Sequence, residues 1–295
     1  GVTMFVRVLL CVLLVGLSWS DGIVGAAEPL SKAEAGAALR RAVEFFRTQV
    51  SAGGGYLWCY SDDLSRREGE GKAGATTVWV QPPGTPTVGG AYLTAYELTR
   101  DEVCLQAARE TALALVNGQL RSGGWDYNIE FDPLRRSRYA YRVEPVNDKG
   151  RNTSTLDDDT TQAALRFLMR VDRTLQFQDE KIHEAAQYAL DALLKVQYPN
   201  GAWPQRFSAP PDPARYPVRK ASYPESWSRT YPGKNYSDFY TFNDNTIADT
   251  ITTLLEAAEV YQDARYRAAA EKAGDFILLA QMPDPQPAWA QQYDA

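Results

Sequence analysis

One short pattern recurs along the chain and limits the architectures open to it. Gln119-Leu-Arg-Ser-Gly-Gly-Trp125 follows the apolar run Ala112 to Val116. Gln197-Tyr-Pro-Asn-Gly-Ala-Trp203 follows Ala189 to Val196. A looser copy, Gln49 to Tyr56, follows Val43 to Phe46, and a fourth, Gln281 to Trp289, follows Phe276 to Ala280. The glutamines lie 70, 78 and 84 residues apart. Recurrence at such a period points to a repeat architecture, in which each unit buries its apolar face against the next.

Each unit carries two helical patterns. Thr161 to Leu175 has apolar residues at Ala164, Leu165, Leu168, Met169 and Val171, the spacing of one buried helix face. Ile182 to Val196 repeats this with Ala185, Ala186, Ala189, Leu190, Leu193 and Leu194. The next pair is Thr246 to Tyr261 and Ala264 to Leu279. The Gly-Gly-Trp and Gly-Ala-Trp tails are expected to stop the second helix, since glycine accepts the left-handed cap conformation. No run of alternating strands stands out. The expected fold is all-α: an α/α toroid, here an incomplete ring of helical hairpins around a funnel. A straight α-solenoid is the alternative, but its units of about 34 to 47 residues are much shorter. Long polar loops at 60–86, 126–156 and 204–242 would form the rim of the funnel, where loops of this length are usually functional.

Composition excludes several functions. The chain has 31 Lys plus Arg against 37 Asp plus Glu, for a net charge of −6, so no general nucleic-acid binding is expected. A single histidine, His183, rules out a zinc site built on several imidazoles. Flanked by Glu180 and Glu184 on a helix, it reads as a surface residue and not a catalyst. Residues 4–27 have the features of a secretory signal: Arg7, the apolar run Val8 to Leu17, and the small residues Val24-Gly25-Ala26. The expected division is therefore a signal peptide over 1–26 and one domain over 27–295. The mature protein is expected to be secreted or periplasmic, free of membrane, and monomeric. Cys59 and Cys104 remain in it; two buried free thiols are preferred to a disulfide.

Two triplets stand at equivalent places, each opening the first helix of a unit: Asp157-Asp158-Asp159 and Asn243-Asp244-Asn245. Helix capping accounts for one residue in each. Three acids in a row repel one another unless a cation offsets them, and calcium takes six to eight such oxygens. Asp157, Asp158, Asp244 and Asn245 are the candidate metal ligands. Basic residues in the flanking loops include Arg206, Arg219, Lys220 and Lys234, with Tyr240 nearby. Ordinary solvated charge explains most of them. Cations beside aromatic rings also suit an acidic sugar, so Arg206, Lys220, Lys234, Trp203 and Tyr240 are the candidate substrate contacts. Trp125, Trp203 and Trp289 hold equivalent repeat positions, for which packing between hairpins is the preferred role. Trp58, Trp79 and Trp227 lie off the repeat and are better placed to meet a ligand.

Three ordered segments resemble a known family. They are Thr155-Leu156-Asp157-Asp158-Asp159-Thr160-Thr161-Gln162, then Asn200-Gly201-Ala202-Trp203-Pro204-Gln205, then Thr241-Phe242-Asn243-Asp244-Asn245. Together they are similar to the motifs of the pectate lyases of polysaccharide lyase family ten, on a matching frame from about Glu34 onward. The resemblance implies an α/α toroid that cleaves polygalacturonate by β-elimination with Ca2+. In that scheme calcium binds the uronate carboxylate and acidifies the C5 proton, an arginine is the base, and the oxygen at C4 leaves. Asp157 matches the essential aspartate at the calcium site, and Asp158 stands where the family usually has Asn. The family continues with further helices and arginines, so the base is expected beyond Ala295, with Arg206 and Arg219 the weaker candidates within the chain. A chain with this calcium motif but no matched base is expected to bind polygalacturonate and cleave it poorly. Two other functions remain open: a non-catalytic toroid that binds an acidic glycan, and a glycoside hydrolase whose two carboxyls would stand about 5 to 10 Å apart.

Overall fold

The computed structural model describes residues 31–144, 146–223, 230, 233 and 236–294. The signal peptide, Trp227 and Lys234 lie outside the described residues. Helix α1, Lys32–Phe45, opens with a capping box between Ser31 and Glu34 and continues as a π turn over Phe46–Val50. Strands β1 (Cys59–Tyr60) and β2 (Arg67–Glu68) pair antiparallel, and β3 follows at Thr77–Trp79. Then come α2 (Thr85–Thr99) and α3 (Glu102–Gly118), strand β4 (Asn128–Glu130), the short α4 (Pro133–Arg136) and β5 (Ser154–Thr155). The next hairpin is α5 (Thr160–Thr174) and α6 (Glu180–Val196), followed by β6 (Arg206–Phe207) and β7 (Tyr240–Thr241). The last is α7 (Thr246–Tyr261) and α8 (Ala264–Leu279), followed by β8 (Gln292–Tyr293).

The first helices of the units, α2, α5 and α7, pack side by side in one layer, α2 against α5 and α5 against α7. In the second layer α3 packs against both α1 and α6. This is the arrangement of an α/α toroid. The second helices carry genuine N-caps: Asp101, Asp179 and Asp263 each accept a hydrogen bond from a backbone N–H of the first turn. Their spacing repeats that of the tail glutamines, so each cap recurs at the same place in its unit. Small sheets, not anticipated from the sequence, tie the units together: β3 with β4, β5 with β6, and β7 with β8. At two or three residues each, these strands are too short to show a period of two.

The tails stop their helices differently from the expectation. The helices end one residue before Gln119 and Gln197, which are extended, and no left-handed glycine caps them. Each glutamine side chain turns back and donates to two carbonyls. Gln119 Nε2 reaches Gly123 O and Ala185 O at 2.9 Å each. Gln197 Nε2 reaches Gly201 O at 3.0 Å and Ala269 O at 2.9 Å. The second acceptor lies on the outer helix of the next unit, so the repeat glutamine is a strut between units. The glycines serve that junction. Gly123 has φ +113°, and a Cβ there would lie 2.1 Å from Ala192 Cβ. Gly201 has φ +99°, and its Cβ would lie 2.1 Å from Lys272 O. Both are left-handed positions with no room for a side chain.

The repeat tryptophans form the core. Trp125 and Trp203 are fully buried, and each Nε1 donates to a carbonyl of the preceding outer helix, Leu115 O at 2.8 Å and Leu193 O at 2.9 Å. Trp289 keeps the same bond, to Ile277 O at 2.8 Å, yet is 46% exposed. Cys59 and Cys104 are both free, as preferred, but only Cys104 is buried. Among the described residues, no helix is long and apolar enough to cross a membrane.

Candidate metal centre and substrate cleft

The two triplets fold alike. Asp158 (φ 49°, ψ 38°) and Asp159 (φ 59°, ψ 19°) are consecutive left-handed residues, and Asp244 (φ 48°, ψ 40°) and Asn245 (φ 59°, ψ 14°) repeat the turn. Each such non-glycine residue costs about 1–2 kcal/mol. Capping does not repay that cost. Neither Asp159 nor Asn245, which precede α5 and α7, makes a side-chain cap hydrogen bond. The capping role weighed from the sequence is therefore overturned. What the strained turn does is aim carboxylates at one another. Asp157, Asp158 and Asp244 each present an oxygen within 4.8 Å of the others, across the boundary between two units.

The electrostatics follow from this crowding. Burial, then the charges of Asp157, Asp244 and Glu70, push the Asp158 carboxyl up to about 6. Burial and the neighbouring Asp157 also raise Asp244. Asp157 is 8% exposed. Its Oδ2 accepts from the Tyr127 hydroxyl at 2.5 Å, while its Oδ1 is buried without a partner. A buried polar oxygen left unpaired is costly. Oxygen donors alone, clustered and partly unpaired, fit a hard divalent cation such as calcium.

Arg206 approaches the same cluster. Strand β6 places it opposite Thr155, and its guanidinium donates to the Tyr127 hydroxyl at 3.2 Å. Burial acts to lower its pKa, but Tyr127, Asp157 and Asp126 together raise it, so the group stays charged. Its Nε is buried and unpartnered. Tyr127 itself is pushed up to about 12 by burial and by Asp157, so it remains a donor.

The other candidates separate from this centre. Trp203 is fully buried and bonded to Leu193, so it cannot touch a substrate; its role is the core. Arg219, Lys220 and Tyr240 line a different cavity of about 620 Å³, walled by Phe276, Trp289 and Tyr293, and none of the three carboxylates borders it. Asp159 turns away to Arg166, at 2.5 Å. Asn245 holds the equivalent position in the next unit and is exposed. Asn243, equivalent to Asp157, instead donates to Asp244. His183 is more than a surface residue: its Nδ1 lies 2.8 Å from the fully buried Asp172, which also accepts from Tyr261 at 2.7 Å. Trp79 is buried in a supporting role, its Nε1 donating to Gln81 Oε1 at 3.0 Å. Sequence reasoning missed Tyr127 and Gln81. The available signal for Gln81 was the repeat, since Gln81, Asp157 and Asn243 each stand two residues past strands β3, β5 and β7.

A family model for pectic acid lyase matches residues 119–295, more than half of the chain and all three sequence motifs. The chain belongs to the pectic acid lyase family. No curated protein matches it. Among solved structures, this pectic acid lyase family member is similar to a family 10 polysaccharide lyase from Cellvibrio cellulosa: 24% identity, 72% of this chain, 55% of that chain and a TM-score of 0.42. A mutant of that enzyme in complex with trigalacturonic acid gives 24% identity, 70% and 56% coverage and a TM-score of 0.42. A cellobiose 2-epimerase from Spirochaeta thermophila gives 13% identity, 88% of this chain, 56% of that chain and a TM-score of 0.52, a likeness of fold alone. The chain spans little more than half the length of these structures.

Proposed function

We propose that this pectic acid lyase family member acts on polygalacturonate by calcium-dependent β-elimination. The observation that carries the reading is the trio Asp157, Asp158 and Asp244, with an unpaired buried oxygen, next to a permanently charged arginine. Asp157, Asp158 and Asp244 would hold calcium. When bound, the cation would draw electron density from a uronate carboxylate and so acidify the proton at C5. Arg206 would bind and orient that carboxylate, as a planar guanidinium does well. Tyr127 would hold Arg206 and Asp157 in register through its hydroxyl. Elimination would pass the C5 proton to a base and expel the oxygen at C4, leaving an unsaturated sugar; the residues described at this centre bind and orient the uronate and do not include that base.

Arg206 suits binding and not proton abstraction, because its surroundings favour the charged form. Arg219 faces the separate cavity. Arg136, whose pKa burial lowers, is engaged with the carbonyls of Asn117, Glu130 and Val143. A glycoside hydrolase is less well supported, since all three carboxylates converge on one point with an unpaired buried oxygen, an arrangement that suits a shared cation.

The test uses purified protein with polygalacturonate. Calcium-dependent retention of the polymer is expected, and a chelator should abolish it; ultraviolet-absorbing unsaturated ends should form only slowly, because no arginine placed at this centre serves as the base. Reducing ends without unsaturated product would point to hydrolysis, and retention unaffected by chelator would contradict the calcium reading. The chain is also proposed to be exported and monomeric. N-terminal sequencing of protein from the medium or periplasm should then begin near Ala27, and an intact Met4 start there would contradict it.

A further inference from the structure

The carboxylate trio is braced from the preceding unit by a side chain that ligates nothing. Gln81 is 5% exposed, and its Nε2 donates to Asp158 Oδ2 at 2.8 Å. Its other amide atom is committed as well, because Oε1 accepts from the Trp79 indole at 3.0 Å. Trp79 Nε1 can only donate, so the amide cannot flip, and the N–H is forced to face Asp158. The backbone is pinned too: Trp58 Nε1 donates to Gln81 O at 2.9 Å, and the two indoles meet edge to face at 6.3 Å. Gln81 occupies, one unit earlier, the place of Asp157. Both reach forward to the second residue of the next triplet, Gln81 to Asp158 and Asp157 to Asp244. A carboxylate at 81 would add one more negative charge to the cluster. The amide there supplies a donor.

We propose that Gln81, locked by Trp58 and Trp79, is a positioning residue that fixes the Asp158 carboxylate in its strained turn and keeps one of its oxygens for the cation. The inference rests on the calcium reading for its purpose, but the contact can be tested without metal. Outer groups that orient a metal ligand typically change affinity about 10- to 100-fold. Calorimetric titration of calcium should show such a loss in Gln81→Leu and in Gln81→Glu. The Glu variant keeps the shape and the Trp79 bond and replaces the donor with a negative charge, while the Leu variant removes the donor without adding charge. A merely space-filling role predicts Gln81→Leu close to wild type, so unchanged or tighter calcium binding in it would overturn the proposal.

The second measurement is a double-mutant cycle in chelator, read as thermal midpoints. Gln81→Leu should lower the midpoint by about 2–4 °C in wild type and by little in an Asp158→Ala background, where the acceptor is gone. Equal losses in both backgrounds would mean that Gln81 does not act through Asp158, and would overturn the proposal. If wild-type protein takes up no calcium, the functional reading fails, while this cycle still decides the contact.

Discussion

Asp157, Asp158 and Asp244 repel one another, and what relieves that repulsion decides how the site responds to pH. Burial and like charge hold the Asp158 carboxyl at about 6 in the folded chain, above its value in an unfolded one. Protonation therefore favours the fold. That contribution is full below roughly pH 4, the unfolded value, and is lost as pH rises through the folded value. Asp244 has the same sign. In chelator, the thermal midpoint of wild type should fall more between pH 5 and pH 7 than that of Asp158→Asn. Parallel curves for the two proteins would show that Asp158 is not raised. Asp157 was legible in the sequence because it stands in a motif. Tyr127 was not, because its importance lies in a hydroxyl 2.5 Å from a residue 30 positions away. Trp203 misled in part: a tryptophan beside Pro204, Gln205 and Arg206 looks like a sugar platform until its burial is seen.

At the scale of the element, the tails between hairpins are the joints of the molecule. The repeat Gln-x3-Gly-x-Trp was visible as a pattern, and the helix boundaries followed from the apolar periodicity: α7 and α8 span the residues expected. The working of the joint was not visible, because Gln119 and Gln197 act on carbonyls of helices 66 and 72 residues further on. Gln119→Ala would leave two buried carbonyls without that donor, and should destabilise the fold by about 2–4 kcal/mol. Chemical denaturation would measure this. A change within experimental error would mean that the strut carries no load and that packing of Trp125 alone joins the units. The small sheets escaped the sequence reading because strands of two or three residues carry no period. They nevertheless position the site, since the pairing of Thr155 with Arg206 brings the arginine to the acidic turn.

For the whole molecule, the toroidal arrangement puts the start of every inner helix on the same end, and this converts two distant triplets into one centre. The repeat, the hairpins and the acidic triplets were all legible in the sequence; the convergence of Asp157 with Asp244 followed only from the equivalence of their two triplets in the ring. The second cavity, with Arg219, Lys220 and Tyr240, could not be separated from the first by sequence, because all its basic residues lie in one continuous loop with Arg206. The central claim is that the trio binds uronate through calcium. Its most direct test is calorimetric titration of trigalacturonate into the protein, with saturating calcium, with chelator, and with Asp157→Ala. Binding is predicted in calcium alone, with at least a tenfold loss (about 1.4 kcal/mol) in the variant. Equal affinity in chelator, or in Asp157→Ala, would contradict it.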